Sequence, residues 1–165
     1  MALKRSPAAR LLKIYLQDHY AGATAGVALF RRAATSRRRD GAGSEIARLA
    51  TEIAEDRQAL RAMMRSVRVR PAVGKAALAW AAERAGRLKP NGRLARRSPL
   101  SDVVELEGLL LAVNGKINGW QSLREVAEGD GRLEGSALQI LLRRADEQQA
   151  RLLEIHRRSA RSTFR

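Results

Sequence analysis

Apolar residues recur at every third or fourth position along four long stretches of this 165-residue chain. This spacing is typical of α-helices that bury one face. The stretches cover about residues 8–34, 44–69, 102–128 and 135–160. Pro7 suits a first helical turn, and Ser44 and Ser101 are plausible N-caps for the second and third helices. Because no stretch alternates apolar and polar residues as a strand does, the pattern predicts an all-α protein.

The connections between these helices differ greatly in length. Short turn-forming segments link the first helix to the second and the third to the fourth, whereas about thirty residues, 72–101, separate the second from the third. Helix hairpins usually need only about two to eight linking residues. The long connection is predicted to contain a short amphipathic helix at about 72–88. One domain, residues 1–165, is therefore expected: a four-helix bundle of ferritin-like topology with a long crossover and a basic C-terminal tail.

Polar side chains interrupt the apolar stripes near the middle of each long helix. In ferritin-like bundles this level holds two metal ions, bound by inward Glu residues and Glu-x-x-His motifs. Here the fourth helix reads Glu147-Gln148-Gln149-Ala150, with alanine where histidine would stand. The interrupting residues are Asp18, His19, Asp56, Glu107, Asn114, Gln148 and Gln149.

Two interpretations of these residues stay open. Asp18, His19, Asp56 and Glu107 could bind a single divalent metal, the only cofactor that the sequence suggests. Alternatively, they form a hydrogen-bonded polar layer with the Asn and Gln residues, in which Asp56 pairs with His19 or with an arginine from a neighbouring helix. A direct geometric expectation follows, that Asp18 or His19 faces Asp56.

Glycines inside the helices also need a physical reason. Gly22 and Gly26 interrupt the first helix, and Gly115 and Gly119 interrupt the third. A glycine in a helix interior costs about 1 kcal/mol relative to alanine, so a neighbouring helix is expected to approach closely there. A ligand pocket beside the first helix is the alternative.

The formal charge is +15, from 32 basic and 17 acidic residues. Such an excess favours non-specific binding of nucleic acid or of an anionic surface. Only five of the basic residues are lysine, however, and an arginine-rich and alanine-rich composition also arises from a high-GC genome without selection for binding. The crossover topology would gather many arginines at one end of the bundle, called here the basic pole, with acidic residues at the other end. Its members are Arg31, Arg32, Arg37, Arg38, Arg39, Arg93, Arg96, Arg97, Arg157, Arg158 and Arg161.

Several classes of protein are disfavoured. The chain has no cysteine, and no Ser-His pairing or phosphate-binding glycine loop is recognisable, so an enzyme is not favoured. Aromatic residues make up only 4%, too few for a base-stacking platform. Neither a signal peptide nor a transmembrane segment is predicted, which favours a cytoplasmic location, and a homodimer is compatible with the sequence.

Three passages, 18–26, 86–94 and 98–107, resemble a family of uncharacterised bacterial helical-bundle proteins. The resemblance extends from about Leu11 into the fourth helix and implies the helical fold without an assigned activity. A wider resemblance to ferritin-like bundles rests on helix number, helix length and the crossover, and the di-iron motifs are missing.

The leading hypothesis is a non-enzymatic bundle that binds an anionic partner through its basic pole. The alternative is a degenerate ferritin-like protein that binds one metal or small ligand at the polar layer. A third interpretation is a protein that only packs against another protein, with its arginine excess set by genome composition.

Overall fold

The computed structural model describes residues 6–37, 41–72 and 99–165. These ranges contain four α-helices, α1 (Pro7–Ser36), α2 (Gly41–Ser66), α3 (Pro99–Gly129) and α4 (Gly135–Phe164), and no strand. The predictions of an all-α chain and of four long helices are therefore confirmed. The short helix predicted at about 72–88 falls almost entirely outside the described residues.

Two of the helices begin earlier than their predicted serine caps. The Ser44 hydroxyl lies inside α2 and donates to the carbonyl of Gly41 at 3.2 Å, so it does not cap that helix. Likewise α3 begins at Pro99, whose fixed φ suits a first turn, and Ser101 lies inside the helix. At α1 the cap is Ser6, whose Oγ accepts from the Ala9 amide at 3.2 Å.

α2 ends at Ser66, before Pro71 is reached, and backbone hydrogen bonds cap its C-terminus. The Val69 amide donates to the Met64 carbonyl at 2.7 Å, and the Arg68 amide to that of Arg65 at 3.0 Å. This pair of bonds is a Schellman motif, which needs a left-handed residue after the helix. Arg68 takes that conformation, with φ of 61°. The chain therefore leaves α2 at a defined angle, toward α1.

The four helices pack as two hairpins, α1 with α2 and α3 with α4, and the hairpins meet where α1 contacts α3 and where α2 contacts α4. Pairs of residues give the directions. Arg37 near the end of α1 meets Asp102 near the start of α3, and Glu45 near the start of α2 meets Arg158 near the end of α4. Each of these two pairs of helices is therefore antiparallel, and α2 and α3 point the same way.

The core is continuous along the bundle, but the stripe of α1 that faces it is narrower than the sequence predicted. Leu16, Val27 and Phe30 are fully or almost fully buried, whereas Leu11 is 66% exposed and Asp18 is also exposed. The predicted inward-facing stripe was too broad, because it included residues that lie more than a quarter-turn from the buried row.

Candidate functional site

A buried carboxylate, Asp56 of α2, lies at the centre of a charge network and is only 2% exposed. Its Oδ2 accepts a hydrogen bond from Lys116 Nζ of α3 at 2.5 Å. Its Oδ1 accepts from Nη2 of Arg144 of α4, and the same guanidinium donates to Glu55 at 3.1 Å. Two cations from the α3–α4 hairpin therefore converge on one carboxylate of the α1–α2 hairpin.

Gln148 extends the network and is fully buried. Its Oε1 accepts from Lys116, and its Nε2 donates to Oε2 of Glu52 at 3.0 Å. Arg151 donates to the same Glu52 oxygen. Every charge in this layer has an opposite charge within contact, as buried ionic groups require.

Burial and pairing act in opposite directions on the pKa values of Lys116 and Glu52 in this network. Burial lowers the pKa of Lys116, and the neighbouring Asp56 carboxylate only partly offsets this effect. For Glu52, burial acts to raise the pKa, but the hydrogen bonds from Arg151 and Gln148 outweigh it and the pKa is lowered. Glu52 is thus held in its charged form.

The sequence builds this network by spacing residues seven apart, which is about two helical turns and returns to nearly the same face. Glu45 and Glu52 are so spaced on α2, and Arg144, Arg151 and Arg158 on α4. Because these helices are antiparallel, the two rows pair in reverse order, and Arg158 donates to Glu45 at 3.3 Å. A ladder of this kind fixes the register of two helices and supplies no group poised for catalysis.

The four residues proposed as metal ligands are not brought together. Asp18 is exposed to solvent, Glu107 is exposed and lies 3.5 Å from His156 Nε2, and Asp56 is occupied by Lys116 and Arg144. Across residues 6–37, 41–72 and 99–165, no group of three or more His, Asp or Glu side chains could hold a metal ion. The physical reason is that an ammonium group and a guanidinium group satisfy the central carboxylate where a cation would bind.

Neither Asp18 nor His19 is among the hydrogen-bond partners of Asp56, and the alternative of an arginine from a neighbouring helix describes its contact with Arg144. Among the other polar-layer residues, Gln148 belongs to the network, Gln149 is half-buried and Asn114 is exposed. The sequence analysis did not predict Lys116 as a member of this network. A lysine within a largely apolar helix is the sequence feature that could have indicated a buried acidic partner.

His19 instead marks a close approach of α1 to α3. A Cβ added to Gly119 would lie 2.8 Å from Nδ1 of His19, so any other residue at 119 would require the ring to move. The ring also packs at 4.3 Å, centroid to centroid, from that of Tyr15. Burial lowers the pKa of His19, against a smaller opposing effect of Asp18. The close approach predicted from helical glycines is thus found at Gly119, whereas a Cβ at Gly26 or Gly115 would meet nothing within 4 Å.

The predicted basic pole is only partly available for binding. Arg37 is 4% exposed, and its Nη2 donates to the Asp102 carbonyl at 2.5 Å while its Nε lies 3.5 Å from Glu105. This arginine joins α1 to α3, so little of its side chain is exposed to bind an anion. Arg31, Arg32 and Arg157 are exposed, Arg158 and Arg161 contact Glu45 and Glu154, and Arg38, Arg39, Arg93, Arg96 and Arg97 lie outside the described residues.

A second basic cluster lies at the opposite end of the α1–α2 hairpin. Arg57, Arg61 and Arg65 follow one another at four-residue intervals on α2, and Arg68 follows the helix. The groove between the hairpin helices is lined by Arg31 and Thr35 of α1 and by Gly43 and Ala47 of α2, so the end of α1 lies beside the start of α2. Because the two helices are therefore antiparallel, the first turns of α1, with Arg10 and Lys13, lie toward the end of α2 that carries Arg65 and Arg68. The hairpin basic surface consists of Arg10, Lys13, Arg57, Arg61, Arg65 and Arg68.

No side-chain ion pair involves these six residues within the described part of the chain. The C-terminal half of α2 therefore carries arginines to the end of the bundle that was expected to be acidic. The four-residue spacing of arginines was visible in the sequence, but the helix packing that brings Arg10 and Lys13 toward them was not.

In comparisons with known proteins, no family model, no curated protein and no solved structure matches this chain. Within the described residues, none of the helices combines the length and apolar character needed to cross a membrane.

Proposed function

We propose that this protein is a non-enzymatic helical bundle that binds an anionic partner through the hairpin basic surface. The observation that carries the proposal is that, among the described residues, the acidic side chains of α2 are paired with basic residues but the arginines on its other side have no acidic partner. Glu45, Glu52, Glu55 and Asp56 of α2 all contact arginine or lysine of the other hairpin. The arginines on the other side of the same helix have no such partner among the described residues.

This arrangement has an electrostatic consequence. Acidic residues that are neutralised within the bundle do not offset the positive potential of the outer hairpin surface at short range. Five side chains of that surface lie on two adjacent helices and Arg68 directly follows α2; all six are exposed, apart from the half-buried Arg57. Their attraction for an anionic polymer is expected to be strong at low salt and independent of sequence.

The experiment is a titration of labelled duplex DNA, used as a generic polyanion, at a series of salt concentrations. If all six cations contact phosphates, the logarithm of affinity should fall with the logarithm of salt with a slope of about −5. A double variant, Arg61→Gln with Arg65→Gln, is expected to reduce that slope by about 2.

The matched control is Arg31→Gln with Arg32→Gln, which removes the same charge from the predicted basic pole. Equal losses in both variants would assign binding to net charge rather than to the hairpin basic surface. Absence of binding by the wild-type protein at low salt would overturn the proposal and favour genome composition as the source of the arginines.

We also propose that the bundle has ferritin-like topology. Support comes from the parallel directions of α2 and α3, together with the long chain segment between them. Spin labels on cysteines introduced into this cysteine-free chain test the proposal. A label at Glu45 should be near one at Arg157 and about 25 Å from one at Ile140, given a rise of 1.5 Å per residue. The reverse result would indicate helices of alternating direction.

A further inference from the structure

Two large aliphatic side chains lie exposed beside the hairpin basic surface. Leu11 is 66% exposed and Ile14 is 45% exposed, both on the first turns of α1. Arg10 is one helical turn before Ile14, and the exposed Lys13 lies between the two aliphatic residues in the chain. The outer face of α1 therefore presents apolar and basic side chains together.

This combination distinguishes between the two anionic partners that a basic surface suits. Positive charge and polar contacts strengthen binding to a nucleic-acid backbone, whereas exposed aliphatic side chains add little to that affinity. Basic and apolar side chains both strengthen binding to an anionic bilayer, because the headgroups attract the cations while the boundary with the acyl chains accepts apolar side chains.

We infer that the hairpin basic surface docks on an anionic membrane surface, with Leu11 and Ile14 entering the headgroup region. The inference rests on the proposed function and specifies its partner. Asp18 is exposed one turn after Ile14. Because anionic headgroups repel its carboxylate, the part of α1 that docks on the membrane ends before Asp18. Docking of this kind is peripheral and reversible, as expected for two inserted side chains and about six nearby cations.

The test is sedimentation of the full chain with vesicles of phosphatidylcholine alone and of phosphatidylcholine with phosphatidylserine. Binding is expected only to the vesicles that contain phosphatidylserine and should weaken as salt increases. The double variant Leu11→Ser with Ile14→Ser should weaken this binding by about tenfold, since each aliphatic side chain loses part of its transfer free energy. The same variant should leave DNA affinity unchanged.

A matched control removes exposed aliphatic side chains elsewhere. Leu111→Ser with Ile140→Ser changes residues that are 71% and 57% exposed on α3 and α4, and vesicle binding should be retained. Equal loss in both double variants would overturn the inference, because position would then not matter. DNA binding without vesicle binding would overturn the membrane inference and leave the proposed function intact. If the wild-type protein binds neither DNA nor vesicles at low salt, the membrane inference and the proposed function are both overturned.

Discussion

The two contacts that join the hairpins are built in opposite ways. Between α2 and α4, long charged side chains bridge the helices, with Asp56 and Gln148 buried and Lys116 of α3 reaching both. Between α1 and α3, the backbones approach more closely, and the His19 ring lies against Gly119. One contact depends on paired charges and the other on the absence of a side chain, so they should respond differently to mutation and to pH.

The largest effect is expected from Asp56→Ala. It would leave Lys116 and Arg144 without their shared carboxylate, and breaking a buried ion pair on one side typically costs 3–5 kcal/mol. A decrease in the free energy of unfolding of roughly 3 kcal/mol is expected in urea denaturation, because Gln148 and Glu55 still contact the two cations. The control Glu55→Ala, at an exposed carboxylate, should cost less than about 1 kcal/mol. Similar losses for both variants would contradict a special role for the buried carboxylate.

The α1–α3 contact is tested by a pair of glycine substitutions on one helix. Gly119→Ala places a Cβ against the His19 ring and is expected to destabilise the protein by about 1–3 kcal/mol. Gly115→Ala meets nothing within 4 Å and should stabilise by up to about 1 kcal/mol through helix propensity. Thermal or urea unfolding measures both. If the two substitutions change stability in the same direction, the close approach does not constrain position 119.

Acidification should weaken the two contacts in different pH ranges. Because burial lowers the pKa of His19, the unfolded chain binds its proton more readily, and the stability contribution falls as pH decreases below about 6.5. Glu52 also has a lowered pKa, so its contribution is complete above about 4.5 and is lost as pH decreases further. The free energy of unfolding, measured in urea between about pH 3 and 8, should depend less on pH below about 6.5 in His19→Gln and less on pH below about 4.5 in Glu52→Gln. Flattening of the same range by both variants would contradict this separation.

The smallest effect is expected at the outer end of the α2–α4 ladder. Arg158 is 54% exposed at its side chain and reaches Glu45 at 3.3 Å. Exposed pairs contribute about 0–1 kcal/mol, so Arg158→Ala should change the free energy of unfolding by less than about 0.5 kcal/mol. A loss comparable to that of Asp56→Ala would mean that the ladder acts as one cooperative unit.

The helices were largely predictable from the sequence because apolar periodicity reports burial directly. The pairing of polar residues was not, because it depends on the rotation of each helix and on side-chain length. Asp56 was correctly placed on the buried stripe of α2, yet its partners Lys116 and Arg144 reach it from two other helices. Asp18 was placed inward, although α1 is rotated so that Leu16 and Val27 face the core. The helix start at Pro99 was not predicted because Ser101 was preferred as an N-cap over the first-turn preference of proline. The start at Gly41 was not predicted because Gly41 and Gly43 are typical of a loop.

Lys116 offers a use that its structural role alone does not suggest. The chain has five lysines, and the described ranges contain one exposed amine, Lys13, and one amine that is mostly hidden behind Asp56 and Gln148. A reagent that modifies amines would label the first at once and the second only when the hairpins separate. The ratio of the two labels, read by mass spectrometry, would report how often the native bundle opens, with the reference and the reporter in the same molecule.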